Sequence, residues 1–121
     1  MSLHFMHGID LRKLSPQAVL ALMVANDCYA EEGEHCVVTS VCRPGTFLEA
    51  GYHGTGNAVD LSCRRLDGKP IPDETMDEIY RQINLRIGRV DGGQYDVIYE
   101  KNPGSSAGWT GPHIHIEYDP K

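Results

Sequence analysis

The sequence predicts an α+β domain with a mostly antiparallel sheet and two main helices. Two segments, at about 16–33 and 72–87, carry apolar residues at helical spacing. Four others have the β-branched composition or the alternation that is typical of strands. Their order is helix, strand, strand, helix, strand, strand, which favours an α+β arrangement. The length of 121 residues fits one domain, and we assign residues 1–121 to it.

Both predicted helices have recognisable ends. Ser15 and Pro16 form an N-cap followed by proline at the first helical position, and Gly33 ends the helix. Its predicted apolar face consists of Val19, Leu20, Leu22, Met23 and Ala30. The second helix runs from about Pro72, and Gly88 closes it. Its predicted apolar face consists of Met76, Ile79, Tyr80, Ile83 and Ile87.

The predicted strands cover residues 36–42, 58–63, 95–100 and 113–118. The first is apolar on both faces, as in a central strand. The second alternates, so that Asp60 lies on the face opposite Val59 and Leu61. The last alternates strictly. One of its faces carries His113, His115 and Glu117, and the other carries Ile114, Ile116 and Tyr118.

Charge and hydropathy exclude several classes of partner. The net charge of −6 lacks the basic field of a nucleic-acid-binding protein and argues against adhesion to an anionic membrane. No apolar run approaches the roughly 20 residues that span a bilayer, and residues 1–10 do not have the pattern of a secretory signal. We therefore expect a monomer made in the cytoplasm, whose site of action is the periplasm or cell wall only after release.

The four cysteines do not form a metal motif. No pair has the C-x-x-C spacing, so we expect reduced, buried thiols that pack as small apolar residues. A weaker alternative is a cysteine-dependent hydrolase. For that chemistry only Cys42 and Cys63 have a basic neighbour that would favour a thiolate.

Two local patterns carry ligands that zinc accepts. The first runs from His53 to Asp60 through glycines that let a loop fold back toward the following strand. The second is His113-x-His115, which puts two imidazoles on one strand face, roughly 6–7 Å apart. Imidazole nitrogen and carboxylate oxygen bind zinc, and catalytic sites use three protein ligands and one water. Each pattern alone is more often a solvated surface, whereas together they predict a zinc site on the sheet face.

These patterns resemble those of a known family. The segments are Thr39-Ser40-Val41-Cys42-Arg43, then His53-Gly-Thr-Gly-Asn-Ala-Val-Asp60-Leu61, then His113-Ile-His115-Ile116. In order and spacing they resemble the zinc D-Ala-D-Ala carboxypeptidase and L-alanyl-D-glutamate endopeptidase family. That family includes phage endolysins and shares the hedgehog/DD-peptidase fold. The resemblance covers roughly residues 37–118.

The resemblance implies a zinc metallopeptidase that acts on the stem peptide of peptidoglycan or on muropeptides. It implies Zn²⁺ bound by His53, Asp60 and His115. Arg43 would bind a substrate carbonyl or stabilise an oxyanion, although a surface ion pair would explain it equally well. His113 would hold the attacking water or protonate the leaving amine. Other divalent ions also suit two imidazoles and a carboxylate.

One departure from the family leaves the mechanism open. Many members carry an acidic general base three residues before the last ligand, and here that position is Pro112. Either His113 replaces it, or Asp96 or Glu100 reaches the water, or the domain binds zinc without cleaving. In the last case the chain is a zinc-stabilised binding module of the same fold.

Overall fold

A computed structural model describes residues 2–41, 57–88, 94–101 and 112–118. These residues form five strands and two helices, together with one 3₁₀ turn at Leu11–Lys13. In chain order the elements are β1 (Leu3–Phe5), α1 (Pro16–Glu31), β2 (Cys36–Val41), β3 (Ala58–Ser62), α2 (Asp73–Ile83), β4 (Tyr95–Glu100) and β5 (His113–Tyr118). The α+β class is therefore confirmed, and the four predicted strands are all present.

The strands form one sheet with the order β1-β2-β3-β5-β4. β2, β3, β5 and β4 pair in antiparallel fashion, as predicted. β1 was not predicted. It pairs in parallel with β2, with Leu3 opposite Cys36, so the sheet is mixed. Three residues are too few for a period-2 pattern to stand out, and β1 owes its conformation to the neighbouring strand.

Helix α1 has the predicted ends but a different buried face. The Ser15 hydroxyl accepts a hydrogen bond from the Ala18 amide at 3.1 Å, and Gly33 adopts a φ of +75°, which favours glycine. The buried positions are Ala18, Ala21, Leu22, Ala25, Cys28 and Tyr29. Val19, Leu20 and Met23 are instead 43%, 51% and 61% exposed. The prediction of this face was right for Leu22 and wrong for Val19, Leu20 and Met23, because small residues, which allow close approach, form most of the buried face.

Helix α2 confirms the prediction closely. It begins at Asp73, and its Met76, Ile79 and Ile83 are buried. The chain continues as one π-helical turn over Asn84–Gly88, which buries Ile87. Among the residues that the structure describes, no helix combines the length and the apolar character needed to cross a bilayer.

The two faces of the sheet differ. Both helices pack on one face, where Val38, Val59, Leu61, Ile114 and Ile116 form the centre of the core. The alternation of β3 and β5 therefore directs Asp60, His113, His115 and Glu117 to the opposite face. This is the face that the sequence predicted for the site.

Strand β2 contains a bulge. Val38 lies opposite Leu61, but the next partner, Asp60, lies opposite Ser40 and not Thr39. Val41 then returns to the core opposite Val59, with 5% of its surface exposed. β2 lies inside the sheet between β1 and β3, in agreement with the prediction of a central strand. The bulge interrupts its alternation, and the polar residues Thr39 and Ser40 are only partly buried.

Candidate functional site

The candidate site lies on β3 and β5, on the face away from the helices. In the antiparallel register, Asp60 lies directly opposite His115, and Ser62 lies opposite His113. Directly opposed residues share one face and have Cβ atoms about 5 Å apart, so their side chains can meet. The register therefore brings together two residues that are 55 positions apart in the chain.

Asp60 is a buried carboxylate with an imidazole partner. It is 5% exposed, and its Oδ1 accepts a hydrogen bond from His115 Nδ1 at 2.7 Å. An aspartate on a polar strand face is usually solvated, and this one is not. A buried carboxylate is stable only where charges or hydrogen bonds compensate for the lost water, and His115 supplies both.

The pKa of His115 reflects this surrounding. Burial of the ring lowers its pKa, but the hydrogen bond and charge of Asp60 raise it, with smaller contributions from Glu117 and Glu100. The net effect is a pKa above the ordinary 6.5. The second ring nitrogen, Nε2, lies 3.7 Å from Glu117 Oε1, so a carboxylate flanks the ring on each side.

His113 lies between two carboxylates. Its Nε2 is 4.0 Å from Asp60 Oδ1 and 3.9 Å from Glu100 Oε2. These separations are longer than direct hydrogen bonds, and they are short enough for a shared water or substrate atom. The side chain is 13% exposed, so the ring is held within the site and not in bulk solvent.

The structure distinguishes between Glu100 and Asp96, the two candidates for the acid that is missing at Pro112. Glu100 lies opposite His113 in the register of β4 and β5, whereas Asp96 lies opposite Glu117. Asp96 and Glu100 are four positions apart on β4, which is roughly 13 Å along the strand. Glu100, and not Asp96, is therefore the acid beside His113.

Glu117 also lies in the site, although it was not among the predicted site residues. Its side chain is 15% exposed and contacts His115. The signal was present in the sequence, because Glu117 shares the strict alternation of His113 and His115.

The described part of the site fits zinc in its chemistry but does not complete a metal site. Carboxylate oxygen and imidazole nitrogen are ordinary zinc ligands, and Asp60 and His115 place one of each side by side. The 2.7 Å between Asp60 Oδ1 and His115 Nδ1 is a hydrogen-bond distance. Two tetrahedral ligands are roughly 3.3 Å apart, so the pair would open slightly to hold the ion. Within residues 2–41, 57–88, 94–101 and 112–118, no group of three or more His, Cys, Asp or Glu is arranged to hold a metal ion.

Two predicted site residues lie outside the described residues: the third ligand, His53, and Arg43. Of the five predicted residues, the structure therefore brings together Asp60, His115 and His113. The roles of His53 and Arg43 stay predictions.

The described cysteines are buried thiols without disulfides, as expected. Burial raises the pKa of Cys28 to about 11, of Cys36 to about 12 and of Cys63 to about 11. A thiol with such a pKa is protonated at neutral pH, so Cys63 does not provide a nucleophile despite the neighbouring Arg64. Cys42 lies outside the described residues.

Comparison with known proteins does not assign a family. No protein-family model matches the chain, and neither a curated protein nor a solved structure matches it.

Proposed function

We propose that the chain is a zinc metallopeptidase that hydrolyses an amide bond in the peptidoglycan stem peptide, as a carboxypeptidase or an endolysin-type endopeptidase. The observation that supports this most is the buried Asp60–His115 contact at 2.7 Å, with the His113 ring on the same face. The resemblance supplies the substrate and the further ligand, His53. Because peptidoglycan lies outside the cytoplasmic membrane, the proposed site of action is the periplasm or cell wall.

In this proposal Asp60 and His115 hold the ion together with His53. Bound zinc would supply Lewis-acid polarisation of the scissile carbonyl and would lower the pKa of a bound water. His115 must lose its Nδ1 proton to act as a ligand, so zinc and protons compete for the same ring. Asp60 would bind the ion through a carboxylate oxygen.

His113 is the proposed proton carrier. Its Nε2 lies 4.0 Å from Asp60 Oδ1 and 3.9 Å from Glu100 Oε2, so both carboxylates face the ring. A ring in this position is suited to protonate the leaving amine. Glu100, at 45% side-chain exposure, lies between the His113 ring and solvent. Arg43 retains the oxyanion role that the resemblance implies.

The test is cleavage of purified peptidoglycan by zinc-loaded protein, with new amino termini identified by mass spectrometry. We expect cleavage by the wild type and a loss of at least about 100-fold in His113→Ala, the scale of general acid–base catalysis. Zinc content should stay at one equivalent in His113→Ala and fall in Asp60→Ala. Glu100→Gln should lower cleavage, because Glu100 is the acid beside His113. Its matched control Asp96→Asn, on the same sheet face but beside Glu117, should retain activity.

The second candidate is a zinc-stabilised binding module without catalysis, which the proline at position 112 favours. Its expected result is zinc binding and retention on peptidoglycan with no new amino termini. Cleavage that is lost in His113→Ala would exclude it, and zinc-loaded wild type without cleavage would exclude the peptidase.

A further inference from the structure

The bulge in β2 selects which side chain faces Asp60. Thr39 is the extra residue, and its hydroxyl donates to the Asp60 main-chain oxygen at 3.3 Å. With regular alternation Thr39 would lie opposite Asp60 and Ser40 would point into the core. The bulge instead directs Ser40 to the site face, opposite Asp60, and returns Val41 to the core. Bulges are frequent next to active sites, where they redirect a side chain.

The hydroxyl placed there has no hydrogen-bond partner among the residues that the structure describes. Ser40 Oγ is buried, and it is one of two buried side-chain polar atoms without a partner in the described part of the chain. Buried polar atoms are nearly always hydrogen-bonded, because an unpaired one has lost its water without compensation. A serine hydroxyl can rotate and donate to whatever acceptor reaches it. An acceptor that comes within reach when the site rearranges would satisfy it.

Asp60 is the acceptor that the register favours. Its Oδ1 is directed across the sheet to His115 on β5, while Ser40 lies on its other side, on β2. A carboxylate has two oxygens and about four acceptor positions, so contact with one strand leaves capacity for the other. Carboxylates that bind metal are themselves held by neighbouring hydrogen-bond donors, which orient them toward the ion.

We infer that Ser40 is a positioning residue for Asp60, whose hydroxyl donates to the carboxylate when Asp60 and His115 open to hold a divalent metal ion. This inference rests on the proposed function, because it requires that the site binds a metal. It goes further because it gives the bulge and the buried Ser40 hydroxyl a role in how tightly the site binds a metal ion. Ser40 does not touch the substrate or the ion in this role.

The test measures zinc affinity and not hydrolysis. Zn²⁺ is titrated into metal-free protein in competition with a chromophoric chelator, for the wild type, Ser40→Ala, Ser40→Thr and Thr39→Val. We expect Ser40→Ala to weaken zinc binding about 10-fold, the lower end of the effect of such partners. Ser40→Thr keeps the hydroxyl and should recover most of the affinity. Thr39→Val removes the adjacent hydroxyl, which already has a partner, and should stay within about twofold of the wild type.

Thermal unfolding of the metal-free proteins separates positioning from folding. Ser40→Ala removes an unpaired buried hydroxyl, so its melting temperature should equal or exceed that of the wild type. Wild-type zinc affinity in Ser40→Ala, or equal weakening in Ser40→Ala and Ser40→Thr, would overturn the inference and leave the proposed function intact. A wild type that binds no zinc, or that binds it equally well after Asp60→Ala, would overturn the proposed metal site and this inference with it.

Discussion

Replacement of Asp60 by asparagine gives the sharpest test of the electrostatics at this site. The change keeps the size and the acceptor oxygen at Oδ1 but removes the negative charge next to His115. Burial, which lowers the pKa of His115, remains, whereas the hydrogen bond that raises this pKa becomes a neutral one and the charge of Asp60 is lost. The pKa of His115 should therefore fall relative to the wild type in metal-free protein.

The magnitude follows from the burial of the pair. A hydrogen bond to a charged group contributes about 1.5–3 kcal/mol and a neutral one about 1 kcal/mol. With 7% and 18% of the two side chains exposed, solvent screens the pair little. Asp60→Asn should therefore lower the free energy of unfolding by about 1–2 kcal/mol at pH 6. For a chain of this length that is a fall in melting temperature of roughly 4–8 °C.

The effect depends on pH in a defined direction. Because the folded pKa of His115 lies above 6.5, its protonation stabilises the fold fully below pH 6.5, and this stabilisation is lost as pH rises through the folded pKa. The difference between the wild type and Asp60→Asn should accordingly shrink above that pKa.

The assay is NMR titration of the histidine ring resonances in buffer with EDTA, with His115 assigned from His115→Gln. Chemical denaturation at pH 6 and pH 8 supplies the free energies. Asp27→Asn makes the same charge change on the exposed side of α1 and should stay within about 0.5 kcal/mol of the wild type. An unchanged pKa of His115 in Asp60→Asn would refute the reasoning, because the raised pKa would then have another origin.

Three further predictions concern residues outside the site. Ser15→Ala removes the N-cap of α1 and should cost about 1 kcal/mol in chemical denaturation, whereas Ser15→Asp should retain the cap. Arg65→Ala leaves Glu34 buried without its bidentate partner and should lower the free energy of unfolding by about 1–2 kcal/mol. Arg12→Ala breaks an exposed ion pair and should lower it by less than about 0.5 kcal/mol. Equal losses in the two variants would contradict this prediction. Iodoacetamide at pH 8 should leave the three described thiols unmodified in native protein and alkylate them in denaturant, as peptide mapping can show for Cys28, Cys36 and Cys63.

The elements with strong local signals were predictable. Ser15-Pro16 and Gly33 mark the ends of α1, and the period of Met76, Ile79 and Ile83 identifies α2. The alternation in β5 places both histidines on one face without reference to a partner strand. Each of these signals arises within one turn of helix or a few residues of strand, so no distant contact is needed to produce it.

The face of α1 shows where local information is insufficient. Apolar residues surround most of this helix, so its period does not distinguish Val19 and Met23 from Ala21 and Ala25. The sheet selects the small residues because they let the backbones approach. Strand β1 is a similar case, since its three residues become a strand only through pairing with β2.

The sequence by itself determined the residue types of the site: a carboxylate on one strand and two imidazoles on another, each opposite an apolar face. Tertiary structure alone decided that Asp60 and His115 share a register position, that Glu100 and not Asp96 stands beside His113, and that a bulge turns Ser40 toward Asp60. The physical reason is that side-chain alternation is a property of one strand. Register and bulges are properties of a pair of strands, and they depend on how distant apolar residues share one core.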